Sequence, residues 1–149
     1  MSLKNIITIG ILVLAAFLVY AFMSPKADFK ADRKDGIQFF RGTWKEAMEK
    51  AGKEDKLIFL DIYATWCGPC KRLKSNTFSN SRVGKYFNST FINVSLDGEA
   101  GDGEILANLY RISGYPSLLF IDKDGNVVTR DEGYLDADEL IRMAKSAVK

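Results

Sequence analysis

The sequence predicts an α/β domain in which helices cover both sides of a mixed central sheet, and three observations predict it. From residue 37 onward, short apolar runs alternate with helix-periodic amphipathic stretches. The run from Lys56 to Ala64 (KLIFLDIYA) is almost unbroken, as in strands buried on both faces of a sheet. Asp122-Lys123-Asp124-Gly125 marks a hairpin near the C-terminus, because Asp-Gly supplies the positive φ that tight turns need. With 149 residues and 47% of them apolar, the chain is one ordinary domain plus an appendage.

The appendage comes first. Ile6 to Met23 (IITIGILVLAAFLVYAFM) carries no charge and lies between Lys4 and Ser24-Pro25-Lys26. At about 1.5 Å per residue it spans roughly 27 Å, close to the hydrocarbon thickness of a bilayer. A helix apolar on every face has no side to give to water. Residues 1–24 are therefore expected to form a membrane anchor that enters the bilayer through residues 6–23. A cleaved signal peptide is the alternative, but its apolar region is usually about 7–15 residues and ends in a small-x-small site. Here the run ends in Ala21-Phe22-Met23-Ser24. Residues 25–36 (PKADFKADRKDG) read as a charged linker, and residues 37–149 as the folded domain. Lys26, Lys30, Arg33 and Lys34 follow the run and only Lys4 precedes it, a bias that taken literally keeps the domain in the cytoplasm. Large domains cross membranes despite such charges, so the compartment has to be argued from chemistry.

Within the domain, Ile37-Gln38-Phe39-Phe40 is expected to be a short first strand. Thr43 and Glu46 form a capping box opening a helix through Trp44, Ala47, Met48 and Ala51. The strand Lys56 to Ala64 ends directly at the cysteines. A helix from Cys67 to about Phe87 follows, with Leu73, Phe78, Val83 and Phe87 facing inward and an interruption around Ser79-Asn80-Ser81. Phe91 to Leu96 is a strand, Glu104 to Tyr110 a short helix, and Ser117 to Ile121 another strand, which the hairpin joins to Val127 to Arg130. Asp136, with Glu139 three residues on, caps a last helix whose inner face is Leu140, Met143, Ala144 and Val148.

Composition narrows the chemistry. Beyond residue 23 lie 20 of the 21 Lys and Arg and all 19 acids, so the domain is nearly neutral and lacks the concentrated basic face of a nucleic-acid binder. The absence of histidine removes the commonest general base and metal ligand. What remains is Trp66-Cys67-Gly68-Pro69-Cys70-Lys71, placed where a buried strand hands over to a helix. A thiolate is the nucleophile in disulfide exchange, and free N–H groups and the helix dipole at that junction favour it at Cys67. Lys71 and Arg72 add to the field. Two intervening residues bring Cys70 within bonding distance, so that it can resolve a mixed disulfide. Pro69 sits in the first helical turn, where its missing N–H is harmless. Three plainer readings compete. Zinc needs four ligands and the chain offers two Cys and no His, so no metal is expected. A stabilising bridge gains most from a long loop, and this loop is very short. Two inert core thiols would not need the Gly-Pro insert.

Two further positions stand out. Asp61 interrupts an apolar strand, where an unpaired carboxylate is costly to bury and its pKa should rise. Six residues before Cys67, it is placed to lie beneath the pair and move the proton of Cys70, unless a strand irregularity turns it to solvent. Tyr115-Pro116 precedes the strand at Ser117. It is either a strand-start marker or a cis bond presenting the backbone of residue 115 to a partner.

Together these residues resemble the thioredoxin superfamily over about residues 37–149. Trp66-Cys67-Gly68-Pro69-Cys70-Lys71 is similar to its active-site signature, Asp61 to its buried acid, and Gly114-Tyr115-Pro116-Ser117 to its cis-proline loop. Leu60 to Cys67 and Thr77-Phe78-Ser79 are most similar to the periplasmic C-terminal domain of the DsbD-type transmembrane reductant conductors. Two departures stand against that subgroup: Gly68-Pro69 lies between the cysteines, and Lys74 occupies the place of an acid. The resemblance implies a thioredoxin fold and a reductase of protein disulfides. Cys67, Cys70 and Asp61 would be catalytic, with Trp66, Gly68, Pro69, Tyr115 and Pro116 contacting the substrate. Protein thiols would be its partners, together with an upstream thiol electron donor, and no cofactor is expected. The domain would be tethered to a bacterial inner membrane by a single span and face the periplasm. The alternatives are a tethered binding or chaperone module using the apolar surface around Trp66, Tyr115 and Pro116, and an anchored thiol peroxidase.

Overall fold

The computed structural model describes residues 34–148. The expected anchor and residues 25–33 of the expected linker lie outside the described residues, among which no helix is long and apolar enough to cross a membrane. The elements are α1 (Trp44–Glu54), β1 (Ile58–Tyr63), α2 (Gly68–Arg72), a π-helical turn (Leu73–Phe78), α3 (Ser81–Thr90), β2 (Ile92–Asp97), α4 (Gly101–Leu109), β3 (Ser117–Ile121), β4 (Val127–Glu132) and α5 (Ala137–Ala147). The strands form one sheet in the order β2-β1-β3-β4. β1 is parallel to β2 and antiparallel to β3, and β4 is antiparallel to β3. This is the mixed α/β sheet that the pattern predicts, in the thioredoxin-like arrangement that the resemblance implies.

Alternation along β1 divides the core in two. Ile58, Leu60 and Ile62 pack with Ala47 and Ala51 of α1 and Leu106 of α4. On the opposite face Phe59 packs with Leu73 and Phe78 of the π-turn, Val83 and Phe87 of α3, and Leu140 and Ala144 of α5. The Phe59 ring meets Phe87 at 4.8 Å, Phe120 at 5.3 Å and Phe78 at 5.9 Å between centroids.

Local chemistry sets the element ends. Both capping boxes form, Thr43 with Glu46 and Asp136 with Glu139. The expected interruption falls at Ser79 and Asn80, where the Asn80 side chain accepts from the N–H groups of Arg82 and Val83 and starts α3 afresh. Gly125 takes φ 86° in the hairpin, as the Asp-Gly pair required.

Two expectations are corrected. Ile37 to Phe40 does not join the sheet. Its N–H groups go to the Phe78 carbonyl, the Asn88 side chain and the Asn93 carbonyl, so α3 and β2 share a segment that no strand ladder holds. Val148 is 49% exposed, because α5 ends at Ala147 and Ala147 takes the inward place. Gly36, read as the end of the linker, is buried against α3. A Cβ on Gly84 would come within 2.4 Å of the Asp35 carbonyl, so only glycine lets the entering chain cross the helix there.

Candidate active site

β1 delivers the chain to a turn in which the Cys67 N–H donates to the Ala64 carbonyl at 3.1 Å, and α2 starts at once. Cys67 caps that helix, and its Sγ accepts the Cys70 N–H at 3.1 Å. An amide aimed at this sulfur, at the positive end of a helix, favours a thiolate there once the pair is reduced. Pro69 lies in the first turn, as its missing N–H allows. Cys67 and Cys70 are joined by a disulfide with S–S 2.05 Å and Cα–Cα 5.3 Å. Both cysteines are buried among Tyr63, Ala64 and Tyr115, whereas Trp66, Gly68 and Pro69 beside them are exposed.

α2 runs without a break into the π-turn, which is tied down from the far side. The Thr77 hydroxyl donates to the Leu135 carbonyl at 2.6 Å, and the Arg72 guanidinium lies 4.6 Å from the centre of the Tyr134 ring. The segment bearing the cysteines is thereby fixed against the loop that leads to α5.

Asp61 lies in the middle of β1 on the face of Phe59 and Tyr63, beneath the α2 and π-turn segment, and is only 4% exposed. The alternative of a solvent-facing carboxylate is excluded. Its Oδ2 accepts the Ser95 hydroxyl at 2.7 Å across the parallel β1–β2 register, and its Oδ1 has no partner among the described residues. Burial pushes the carboxyl up to about 7, against the lowering effects of the Ser95 bond and of the Lys74 charge. A carboxyl that titrates near neutrality beside a thiol pair is suited to general acid–base work.

The rim is aromatic and acidic. The Trp66 indole N–H is shared between the two carboxylate oxygens of Glu99, at 3.0 and 3.1 Å, and the ring stands edge-on to Tyr115 at 6.1 Å. The Tyr115–Pro116 bond is cis. Partial burial and then the charges of Glu99, Asp97 and Glu104 hold the Tyr115 phenol above its ordinary pKa. The fold thus brings Cys67, Cys70 and Tyr115 together with Trp66 at the rim, on Tyr63 at the end of the β1 face that carries buried Asp61 two residues earlier, and buries Pro116 at the start of β3. Gly68 and Pro69 face outward beside Trp66. No three Cys, Asp or Glu side chains converge as a metal site among the described residues.

Sequence reasoning missed Ser95 and Glu99. A serine between Val94 and Leu96 was the signal of the first, and it becomes meaningful only when the register sets it opposite Asp61. Glu99 lies in a loop and carries no local signal.

The comparisons agree with this geometry. The model of a thioredoxin-like domain family matches residues 44–147. The thiol:disulfide interchange protein DsbD of Colwellia psychrerythraea is 28% identical over 156 aligned residues, covering 99% of this chain and 26% of its own length. The chain thus spans about a quarter of that curated relative. Among solved structures, a candidate disulphide-isomerase from Bacteroides thetaiotaomicron is 45% identical with a TM-score of 0.69, over 78% of this chain and 97% of its own. The C-terminal domain of Neisseria meningitidis DsbD in its oxidised form is 27% identical with a TM-score of 0.61, over 73% of this chain and 98% of its own. The chain belongs to the thioredoxin-like domain family, and Cys67 and Cys70 form its disulfide pair.

Proposed function

We propose that this chain reduces disulfides in partner proteins, tethered by residues 1–24 to a bacterial inner membrane with residues 37–149 facing the periplasm. The observation that carries the chemistry is the Cys67–Cys70 pair at a strand-to-helix junction, with an amide aimed at Cys67 and a carboxyl titrating near neutrality beneath. The Cys67 thiolate attacks one sulfur of the partner's disulfide and the other leaves as a thiolate that takes a proton. Cys70 gives its proton to Asp61 and attacks the Cys67 sulfur, so the mixed disulfide breaks and the second partner thiol is released. Two electrons have then passed from the pair to the partner. Trp66, Gly68, Pro69 and Tyr115 form the surface against which the partner docks, and buried Pro116 contributes through the cis bond that presents the backbone of Tyr115.

The reducing direction is supported by Gly68-Pro69, the insert carried by the family members that act as reductants. The tether rests on the apolar run Ile6 to Met23. The periplasmic location rests on the likeness to the DsbD interchange proteins, which also supports an upstream thiol donor and protein thiols as partners. Equilibration of the purified chain against glutathione tests the direction: a potential near about −270 mV is expected, and one near about −120 mV, the oxidant end of the scale, would overturn it. Labelling of mildly reduced intact cells with an impermeant thiol reagent tests the location. Labelling before lysis is expected, and labelling only after lysis would place the domain inside.

A further inference from the structure

Asp61 is a carboxylate whose two oxygens are not equivalent. Oδ2 is engaged by the Ser95 hydroxyl at 2.7 Å, across a pair of strands whose register sets the two residues side by side. Oδ1 is buried, with no partner among the described residues. A hydroxyl has one proton to donate, and one oxygen of an ionised carboxylate already receives it. An incoming proton therefore goes to the other oxygen, where it displaces no existing bond.

We propose that Ser95 is a positioning residue for the resolving step, its hydroxyl holding the Asp61 carboxylate so that Oδ1 is the atom that takes the Cys70 proton. This rests on the role given to Asp61 above. In the step, the Cys70 S–H bond breaks as the proton moves to Oδ1, the Cys70 sulfur bonds to the Cys67 sulfur, and the bond from Cys67 to the partner breaks. The partner leaves as a thiolate and is protonated by water, to which Oδ1 later returns its own proton. Ser95 also favours the ionised carboxylate, because its bond is strongest to the charged form. The other groups set against Asp61 are Lys74 from the π-turn, whose charge acts in the same direction, and from β3 the apolar Leu118; Cys67 and Cys70 pack on Tyr63, two residues further along the same face of β1. The Ser95 hydroxyl is bonded to Oδ2 directly, at 2.7 Å.

Two readouts test this in the full chain. The carboxyl infrared band of Asp61 follows its titration in the oxidised state. The resolving step is followed by reacting the reduced chain with a thionitrobenzoate disulfide and timing release of the second thionitrobenzoate as Cys70 attacks. In Ser95→Ala the Asp61 midpoint and the pH limb of resolution should both move up by about one pH unit, so that resolution at pH 6 slows about tenfold. Ser95→Thr, which keeps the hydroxyl, should restore both. If Ser95→Ala does not fold, Ser95→Thr and Ser95→Val, of nearly equal volume, make the same comparison. An unchanged midpoint and limb in the variant without a hydroxyl would overturn the proposal, provided that Asp61→Asn slows resolution. If Asp61→Asn leaves resolution unchanged, the role of Asp61 itself falls, and the proposal with it.

Discussion

Ile58, Leu60 and Ile62 on one face of β1, and Phe59, Asp61 and Tyr63 on the other, are all buried, yet they meet different surroundings. The first three pack in a cluster with apolar groups of α1, α4 and the neighbouring strands. The second three form a gradient along a single strand: Phe59 sits inside an aromatic cluster, Asp61 has one hydrogen bond, and Tyr63 lies against the cysteines. Both faces exclude water, but only one uses that exclusion to shift a proton equilibrium. The difference teaches that the cost of a buried carboxyl is confined to one position. Above it is the redox pair, and below it an aromatic core that stabilises the fold.

Truncation below that position should have the largest effect. Phe59→Ala removes a ring in contact with Phe78, Phe87 and Phe120, and should cost about 3–5 kcal/mol in urea unfolding while leaving the redox potential unchanged. A potential that moved with it would show that core and site are not separable.

Asp61→Asn should have the opposite sign. In the unfolded chain the carboxyl titrates near 3.8 and in the fold at about 7, so between these values the native state keeps a proton that the unfolded state has lost. Stability therefore falls as pH rises through this window, and above about pH 7 the loss is complete. The Asn variant lacks this slope. The oxidised variant should match its parent near pH 4 and exceed it by up to about 4 kcal/mol above pH 7. Parallel stability profiles for the two would mean that Asp61 titrates normally.

The smallest effect belongs to the rim. Glu99→Gln keeps an acceptor for the Trp66 indole but removes a charge that raises the Tyr115 phenol. Stability should change by less than about 0.5 kcal/mol. The Tyr115 titration, followed by ultraviolet absorbance, should move down; no movement would remove Glu99 from that site.

β1 was legible because a strand covered on both sides is apolar throughout, and Asp61 was legible because it breaks that rule. The restart of the helix at Asn80 was legible because a capping side chain acts within three residues. Ile37 to Phe40 misled because four residues rich in apolar side chains suit a strand, whereas their hydrogen-bond partners, Phe78, Asn88 and Asn93, lie far along the chain. Val148 misled because a helical face says which side is inward but not where the last turn ends. Ser95 depends on register, and the pairing of β1 with β2 is invisible until the chain is folded.

Trapping tests the chemistry of the upper end of β1 most directly. Cys70→Ser, reduced and mixed with a disulfide protein such as insulin, should accumulate a mixed disulfide that peptide mapping assigns to Cys67, while the parent chain should show none and release free thiols. No trapped species, or one that forms equally in Cys67→Ser, would contradict the account.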